Sequence, residues 1–270
     1  MSGSVIRVHW RIGRQGAGGL PSLPQAISWL TPAEQARAQA FKVEKRRNDW
    51  LLGRLNLKSL LVDLVAGRFG ERVAPCQLLV DRLPSGAPCV RLADGAPHLG
   101  LHAPGARLPL SVSNSHSGGY ALGAAAWRDE PEGEGPRLAI GADLEWIEQR
   151  SDGFVRDFLT TAEQRYWREG RGEERYMRAN LVWSAKEAVL KVLQRGLAAD
   201  TYWLTCLPAV ESSPGGPQVV LEPADRAWRP FTVECDERLT PREVRFTGLW
   251  REIDGFVATI AVGATAGPRP

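Results

Sequence analysis

The sequence predicts an α+β fold with two pseudo-symmetric halves, each a long helix packed on a small antiparallel sheet. The order of strand, helices and antiparallel strands occurs twice along the 270 residues. A polar segment rich in Gly and Pro, residues 129–136, separates the two series and is typical of a linker. Each series also contains a capping-box helix start, at Thr31–Glu34 and at Thr160–Glu163.

These observations divide the chain into four parts. We predict an N-terminal half at residues 1–128, a linker at 129–136, a C-terminal half at 137–262 and a flexible tail at 263–270. The amino-acid sequence shows no residue-level repeat, so the division depends on element order alone. A monomer is expected from this fused layout, with the active site between the two halves.

The N-terminal half begins with an alternating strand at residues 5–10. Two helices follow, with expected bounds of 32–47 and 50–66. Asn48 or Asp49 is expected to cap the second helix, and Gly67 is expected to stop it. Four further strands are predicted, at residues 77–80, 88–92, 108–114 and 120–127.

The C-terminal half is predicted to begin with the strand Ile140–Ile147. A helix opens after Thr160, and a long helix then runs to about Gln194. Segments rich in Val, Thr and Phe predict four more strands, at residues 218–221, 230–235, 243–250 and 255–262.

Composition narrows the classes of function. Apolar residues make up 43% of the chain, but no apolar run approaches the ~18 residues of a membrane span. A net charge of +3 disfavours bulk nucleic-acid binding. The four cysteines are widely spaced, and we read them as small apolar residues of a reducing compartment. With no signal peptide expected before Arg7, we predict a cytoplasmic protein.

Two carboxylates of the predicted strand at 140–147 are candidate metal ligands. Asp143 and Glu145 alternate along the strand and therefore share a face, about 6.6 Å apart at ~3.3 Å rise per residue. Taken alone, such a pair is more often a solvated strand edge than a metal site. Hard carboxylate oxygens are nevertheless the ligands that Mg²⁺ prefers.

The predicted long helix adds a third carboxylate. One stripe of the helix carries Trp183, Glu187, Lys191 and Gln194. The opposite side is apolar and is expected to face a core: Leu181, Val182, Ala185, Val189, Val192 and Leu193. A Glu–Lys pair one turn apart is usually a surface ion pair, but with the strand carboxylates it would suit a metal that holds a phosphate.

A basic stripe is predicted on the second helix of the N-terminal half. Arg47, Trp50, Arg54 and Lys58 recur at helical spacing, and such a stripe is more often a wet helix face than a binding site. A turn between two strands contains Ser115 and His116, and a turn histidine of this kind is commonly only a local hydrogen-bonding group.

Ser115-His116-Ser117-Gly118, Gly141-x-Asp143-x-Glu145 and Trp183-x-x-Lys186-Glu187-Ala188-x-x-Lys191 occur in this order. With them the chain resembles the 4′-phosphopantetheinyl transferases, over about residues 31–262. It is most similar to their larger, monomeric class, which fuses two copies of the fold and primes polyketide and nonribosomal-peptide synthases.

The resemblance implies transfer of the phosphopantetheine arm of coenzyme A to a serine of an apo carrier protein, with release of 3′,5′-ADP. Acyl or peptidyl carrier domains of polyketide, nonribosomal-peptide or fatty-acid synthases are the implied partners. The implied metal is Mg²⁺, or alternatively Mn²⁺, held by Asp143, Glu145 and Glu187. Glu187 and Lys191 would be catalytic. Coenzyme A would contact Lys191 and five residues of the N-terminal half: Arg47, Arg54, Lys58, Ser115 and His116.

One departure and two alternatives remain. Many relatives have Gly-Lys-Pro where this chain has Gly86-Ala87-Pro88, so a coenzyme A lysine is missing. A metal-dependent nucleotide or coenzyme A pyrophosphatase could use the same carboxylates with water as nucleophile. A non-enzymatic module that binds a nucleotide through the basic stripe is the second alternative.

Overall fold

The computed structural model describes residues 5–16, 20–22, 25–128, 138–196, 199–213, 215–240 and 244–265. Helices and antiparallel sheets are both present, which confirms the predicted α+β class. The chain divides into two compact units. We call His9–Asp129 the N-terminal unit, and Met1–Val8 together with Glu130–Pro270 the C-terminal unit. The predicted linker at 129–136 lies outside the described residues.

A single long helix organises the N-terminal unit. Its helices and strands are α1 (Pro32–Gln39), α2 (Glu44–Phe69), most of β1 (Ile6–Arg14), β2 (Leu78–Arg82), β3 (Pro88–Leu92), β4 (Leu110–Ser117) and β5 (Tyr120–Trp127). Residues 6–8 of β1 fall in the C-terminal unit. β5 lies antiparallel between β4 and β1, and β2 pairs with β3. The apolar side of α2 is buried in one cluster with these strands, including Leu61, Val80, Val90, Val112 and Ala125.

The start and end of α2 differ from the prediction. The helix begins at Glu44, so Asn48 and Asp49 lie inside it and do not cap it. It also continues through Gly67, since one interior glycine costs a helix only about 1 kcal/mol. The helix ends before Gly70, whose φ of 71° is the left-handed conformation that glycine adopts without strain.

The C-terminal unit has the same plan. Its elements are β6 (Leu138–Trp146), α3 (Asp152–Phe158), α4 (Thr161–Glu169), α5 (Glu173–Leu193), β7 (Leu204–Pro208), β8 (Val219–Glu222), β9 (Arg229–Cys235), β10 (Val244–Ile253) and β11 (Phe256–Thr265). Five strands form an antiparallel sheet in the order β6-β11-β10-β9-β7. α5 is buried against this sheet through small and branched side chains such as Ala185, Ala188, Val189, Val257 and Ala261.

Three features of this unit were not predicted. Neither the short helix α3 nor the strand β7 was predicted from the sequence. β11 continues to Thr265, so the predicted tail at 263–270 begins at least three residues too early. The reason is pairing: β10 and β11 remain in antiparallel register out to Val244 and Thr265.

Both predicted capping boxes are present. In α1 the side chain of Thr31 accepts from the backbone N–H of Glu34, and the Glu34 carboxylate accepts from the backbone N–H of Thr31. The same reciprocal pair joins Thr160 and Glu163 at α4. Each glutamate therefore satisfies one of the backbone donors that a helix start leaves open.

In the N-terminal unit the capping glutamate also holds a buried lysine. Lys58 Nζ lies 2.5 Å from Glu34 Oε2 and donates to the carbonyl oxygens of Trp29 and Pro75 at 2.8 and 3.0 Å. The backbone N–H of Val80 donates to Glu34 Oε1 at 3.2 Å. The ammonium therefore has three acceptors, which is what a fully buried lysine requires.

An equivalent network is buried in the C-terminal unit. Lys186 Nζ lies 2.6 Å from Glu163 Oε2 and donates to the carbonyl oxygens of Phe158 and Thr201 at 2.9 and 2.8 Å. The backbone N–H of Cys206 donates to Glu163 Oε1 at 2.7 Å.

In both units one accepting carbonyl, that of Trp29 or Phe158, lies two residues before the capping threonine. The other, that of Pro75 or Thr201, lies five residues before the residue whose amide donates to the glutamate. The units therefore share a residue-level repeat that the sequence analysis missed.

Candidate active site

β6 and α5 bring a predicted metal ligand, Asp143, into contact with a predicted catalytic residue, Lys191. Asp143, on β6, is 4% exposed. Lys191, on α5, donates to Asp143 Oδ1 and to the carbonyl oxygen of Ala142, both at 2.8 Å. Glu187 and Lys191 are half-buried, and five of the six apolar residues predicted to face a core are buried, whereas Leu193 is partly buried. The fourth residue of the predicted stripe, Gln194, follows the end of α5.

The close approach of β6 to α5 depends on a glycine. A Cβ atom added at Gly141 would lie 1.8 Å from the carbonyl oxygen of Ala188, far inside van der Waals contact. Only a residue without a side chain allows the strand to reach the helix here. Gly141 therefore sets the separation between the strand that carries Asp143 and the helix that carries Glu187. Gly141 belongs to the motif Gly141-x-Asp143-x-Glu145, but the motif alone does not indicate this role.

The carboxylates of this site destabilise one another as anions. Burial, with the charge of Asp143, raises the pKa of Glu187 to about 6, although Lys191 opposes the shift. Burial and Asp143 likewise raise the pKa of Glu145 to about 7, against the effect of Arg150. A cation bound among the three groups would offset the repulsion that these shifts reflect.

The chemistry of the side chains fits a divalent cation. Glu187 Oε1 is buried, and within the described part of the chain it has no hydrogen-bond partner. An orphaned carboxylate oxygen of this kind is a suitable ligand for Mg²⁺. Among the described residues, however, no group of three or more His, Cys, Asp or Glu side chains is arranged to hold a metal. Asp143 and Glu145 are instead paired with the protein's own cations, Lys191 and Arg150.

Lys58, predicted to contact coenzyme A, is not available to a ligand. Its side chain is fully buried, and its three donors are taken by the network around Glu34. The helical spacing that placed Lys58 on the basic stripe cannot distinguish a buried lysine from an exposed one. Burial is also the main cause that lowers its pKa.

The rest of the basic stripe divides into a surface residue and an aromatic cluster. Arg47 is 43% exposed and lies 3.5 Å from Glu44. Arg54 is mostly buried, stacks on the ring of Trp50 at 5.0 Å and donates to the carbonyl oxygen of Val80 at 2.8 Å. Arg37 also lies over the Trp50 ring, 5.8 Å from its centre.

Arg54 also has cationic neighbours. Burial is the main cause that lowers its pKa to about 10, and the charges of Arg37 and Arg82 act in the same direction. Arg82 pairs with Pro88 in the β2–β3 register, next to Ala87. The basic cluster Arg37, Arg54 and Arg82 is therefore a feature that the helical stripe alone did not predict.

Ser115 and His116 lie within β4, not in the turn where they were predicted. The turn consists of Gly118 and Gly119, with φ of 53° and 80°. His116 is exposed, and a Cβ atom at Gly53 of α2 would lie 3.2 Å from its Cδ2 atom. The helix and the strand therefore approach closely at Gly53, the residue before Arg54.

One segment of the chain, within the C-terminal unit, matches a known protein family. Residues 139–250 match the family model of the 4′-phosphopantetheinyl transferase superfamily. This match is shorter than half of the chain, and it contains Asp143, Glu145, Glu187 and Lys191. No curated protein matches the sequence.

Several solved structures, including the following three, are similar to about half of the chain. Apo-ACPS from Chronobacterium ammoniagenes aligns at 14% identity and a TM-score of 0.35, over 48% of this chain and 99% of that chain. The ACPS–CoA complex from the same organism aligns at 14% identity and a TM-score of 0.36, over 49% of this chain and 99% of that chain. The holo-[acyl-carrier-protein] synthase of Thermotoga maritima aligns at 19% identity and a TM-score of 0.31, over 48% of this chain and 64% of that chain.

The described residues include no helix that is long and apolar enough to cross a membrane. The four cysteines are free thiols, of which Cys89 and Cys206 are buried.

Proposed function

We propose that this protein transfers the 4′-phosphopantetheine arm of coenzyme A to a serine hydroxyl of an apo carrier protein and releases 3′,5′-ADP. The observation that carries the proposal is the grouping of Asp143, Glu187 and Lys191 on β6 and α5, inside the segment that matches the transferase superfamily. Acceptors of the polyketide, nonribosomal-peptide or fatty-acid type, and a monomeric enzyme of the larger class, belong to the same proposal.

The metal part of the proposal assigns Asp143, Glu145 and Glu187 as the residues that would hold Mg²⁺. Its support is the orphaned oxygen of Glu187 and the raised pKa of two of the three carboxylates. When bound, Mg²⁺ would neutralise negative charge on the pyrophosphate. The prediction that the site lies between the two halves stays a prediction.

Glu187 is the proposed general base. The serine oxygen attacks the phosphorus that bears the pantetheine arm, and the bond from that phosphorus to the bridging oxygen of 3′,5′-ADP breaks. Glu187 accepts the serine proton. A pKa of about 6 lies closer to neutrality than an ordinary glutamate, so the base is stronger while still mostly ionised at pH 7.5. Lys191, which holds Asp143 in this structure, would donate to phosphate oxygens in the transition state.

Nucleotide binding is proposed for the N-terminal unit. Arg54 and Arg37, stacked around Trp50, are better placed for a phosphate than Lys58, and Arg47 and Ser115 remain candidates from the resemblance. His116 would add a hydrogen-bond donor. We propose Arg82 as the cation that replaces the lysine missing at Ala87. Arg82 pairs with Pro88, the residue after Ala87, and its charge helps to lower the pKa of Arg54.

The proposal is tested by intact-mass analysis of an apo carrier protein incubated with the enzyme, coenzyme A and Mg²⁺. We expect a gain of one phosphopantetheine arm that is lost on addition of EDTA. The Glu187→Gln variant should lose at least 100-fold in rate, since a general base contributes roughly 10²–10⁴-fold. Glu173→Gln, at an exposed position of the same helix, is the matched control and should retain the wild-type rate.

Three other outcomes would contradict part or all of this proposal. Cleavage of coenzyme A without a mass gain on several carriers would favour the pyrophosphatase. Binding of coenzyme A without any turnover would favour the non-enzymatic module. Full activity of Glu187→Gln would remove the proposed base.

A further inference from the structure

Arg150 follows β6 in the C-terminal unit and holds one of the candidate metal ligands. Its Nη2 donates to Glu145 Oε2 at 2.8 Å, and its Nη1 lies 3.0 Å from Glu148. The Arg150 and Glu145 side chains are 18% and 23% exposed. This pair is therefore largely removed from solvent, unlike a surface ion pair, which contributes little to stability or orientation.

The guanidinium is itself fixed by a buried residue. Arg150 Nε donates to Asn180 Oδ1 at 2.7 Å, and the guanidinium lies 5.0 Å from the centre of the Phe154 ring. Asn180, on α5, has no exposed surface, and its amide donates to the carbonyl oxygens of Glu148 and Tyr176 at 2.7 and 2.8 Å. The chain of contacts from Asn180 through Arg150 to Glu145 leaves the carboxylate little freedom to rotate.

We propose that Arg150 is a positioning residue for the metal site: by binding Oε2 of Glu145 it fixes the carboxylate so that the other oxygen meets the cation. The inference rests on the proposed metal site. Carboxylate ligands that are hydrogen-bonded from behind bind metals more tightly, because the ligand loses less orientational freedom on binding. Arg150 is suited to this role since its planar fork bonds Asn180 and Glu145 at once.

The C-terminal unit provides a matched control. Arg178 is 16% exposed, stacks on the Tyr166 ring at 4.4 Å and donates to Glu174 at 2.8 Å. It therefore resembles Arg150 in exposure, stacking and ion pairing. Its carboxylate partners, Glu174 and Glu169, are not among the candidate metal ligands.

The test titrates the full-length protein with MnCl₂ alone and measures free Mn²⁺ by electron paramagnetic resonance. We expect Arg150→Ala to weaken Mn²⁺ binding by about 10–100-fold, the usual effect of removing such a partner. Arg150→Lys should recover little, because an ammonium cannot keep the fork. Arg178→Ala should bind as wild type. In a Glu145→Gln background, Arg150→Ala should have no further effect.

The possible results separate the two proposals. Equal Mn²⁺ affinity of wild type and Arg150→Ala would overturn the positioning role while leaving the metal site intact. Wild-type affinity in Arg150→Lys would also overturn it, since charge alone would then suffice. Failure of the wild type to bind Mn²⁺ at all would overturn both proposals. Circular dichroism checks that each variant is folded, and if Arg150→Ala is not, Arg150→Lys decides.

Discussion

The Glu187 carboxylate is costly to keep ionised. It is half-buried, one oxygen has no hydrogen-bond partner in the described structure, and burial raises its pKa from 4.5 to about 6. Between these two values the folded state binds more protons than the unfolded state. Stability therefore falls as pH rises from about 4.5 to 6, and it remains lowered above that range.

Replacing Glu187 with Gln should remove this penalty. Above pH 6 and without metal, we expect Glu187→Gln to be more stable than wild type by on the order of 1 kcal/mol, with no difference below pH 4.5. Urea denaturation at pH 4.5 and pH 7.5 measures both values, with Glu173→Gln as the control. Equal destabilisation of Glu187→Gln at the two pH values would contradict the prediction.

Sequence patterns predicted some of these residues better than others. Asp143 contacts Lys191 and raises the pKa of Glu187, so these residues come together as the resemblance implied. Arg150 was missed because no spacing rule links it to Glu145. Lys58 was misassigned because a helix stripe contains no information about depth, and depth decides whether a lysine binds a ligand or a buried glutamate.

The contact between β6 and α5 depends on Gly141. We expect Gly141→Ala to destabilise the protein by at least ~3 kcal/mol, the upper end for overpacked sites, because its Cβ would meet backbone that cannot rotate away. Transfer activity should fall as well, since strand and helix carry Asp143 and Glu187. Urea denaturation and the carrier assay measure the two effects.

Gly67 offers a glycine control for that substitution. It is exposed within α2, and a Cβ atom there would meet nothing within 4 Å. Gly67→Ala should therefore stabilise the protein by about 0.5–1 kcal/mol through the higher helix propensity of alanine. If Gly141→Ala behaved like Gly67→Ala, the close approach of β6 to α5 would not matter for stability.

Boundaries of elements were harder to predict than their existence. Asn48 and Asp49 are good capping residues, yet they lie inside α2. The break between α1 and α2 contains no Gly or Pro, and within it Phe41 packs on Trp50, with 5.7 Å between ring centres. A break stabilised by a contact of this kind leaves no local signal in the sequence.

Among the residues that the structure describes, each unit has a buried Glu–Lys pair tied to a capping box. We expect Lys58→Met and Lys186→Met each to destabilise the protein by about 3–5 kcal/mol, because each leaves a buried glutamate without its partner. Adding Glu34→Gln or Glu163→Gln to the respective variant should recover part of the loss. Urea denaturation measures both steps, and Lys45→Met, at an exposed position of α2, is the control.

The two-half α+β organisation could be predicted because element order is visible in the sequence. The repeated Glu–Lys network was overlooked, although Thr-x-x-Glu followed by a helix lysine occurs twice. The units differ where the candidate site lies. Asp63 and Lys191 each follow the buried lysine by five residues, but Asp63 pairs with an arginine, Arg11, whereas Lys191 pairs with Asp143. In the N-terminal unit the carboxylate is on the helix and the cation is on the strand, which is the reverse of the C-terminal unit.

The first strand has a consequence for synthesis of the chain. Residues 6–8 belong to the C-terminal unit, where the backbone N–H of Ile6 donates to Gln218 at 2.8 Å. Arg7 pairs with Glu222, 215 positions later. On the ribosome this pairing must wait until the chain has emerged at least as far as Glu222, in β8 of the C-terminal unit. Residues 6–8 are made early, yet they reach these native contacts only after β8 has been made.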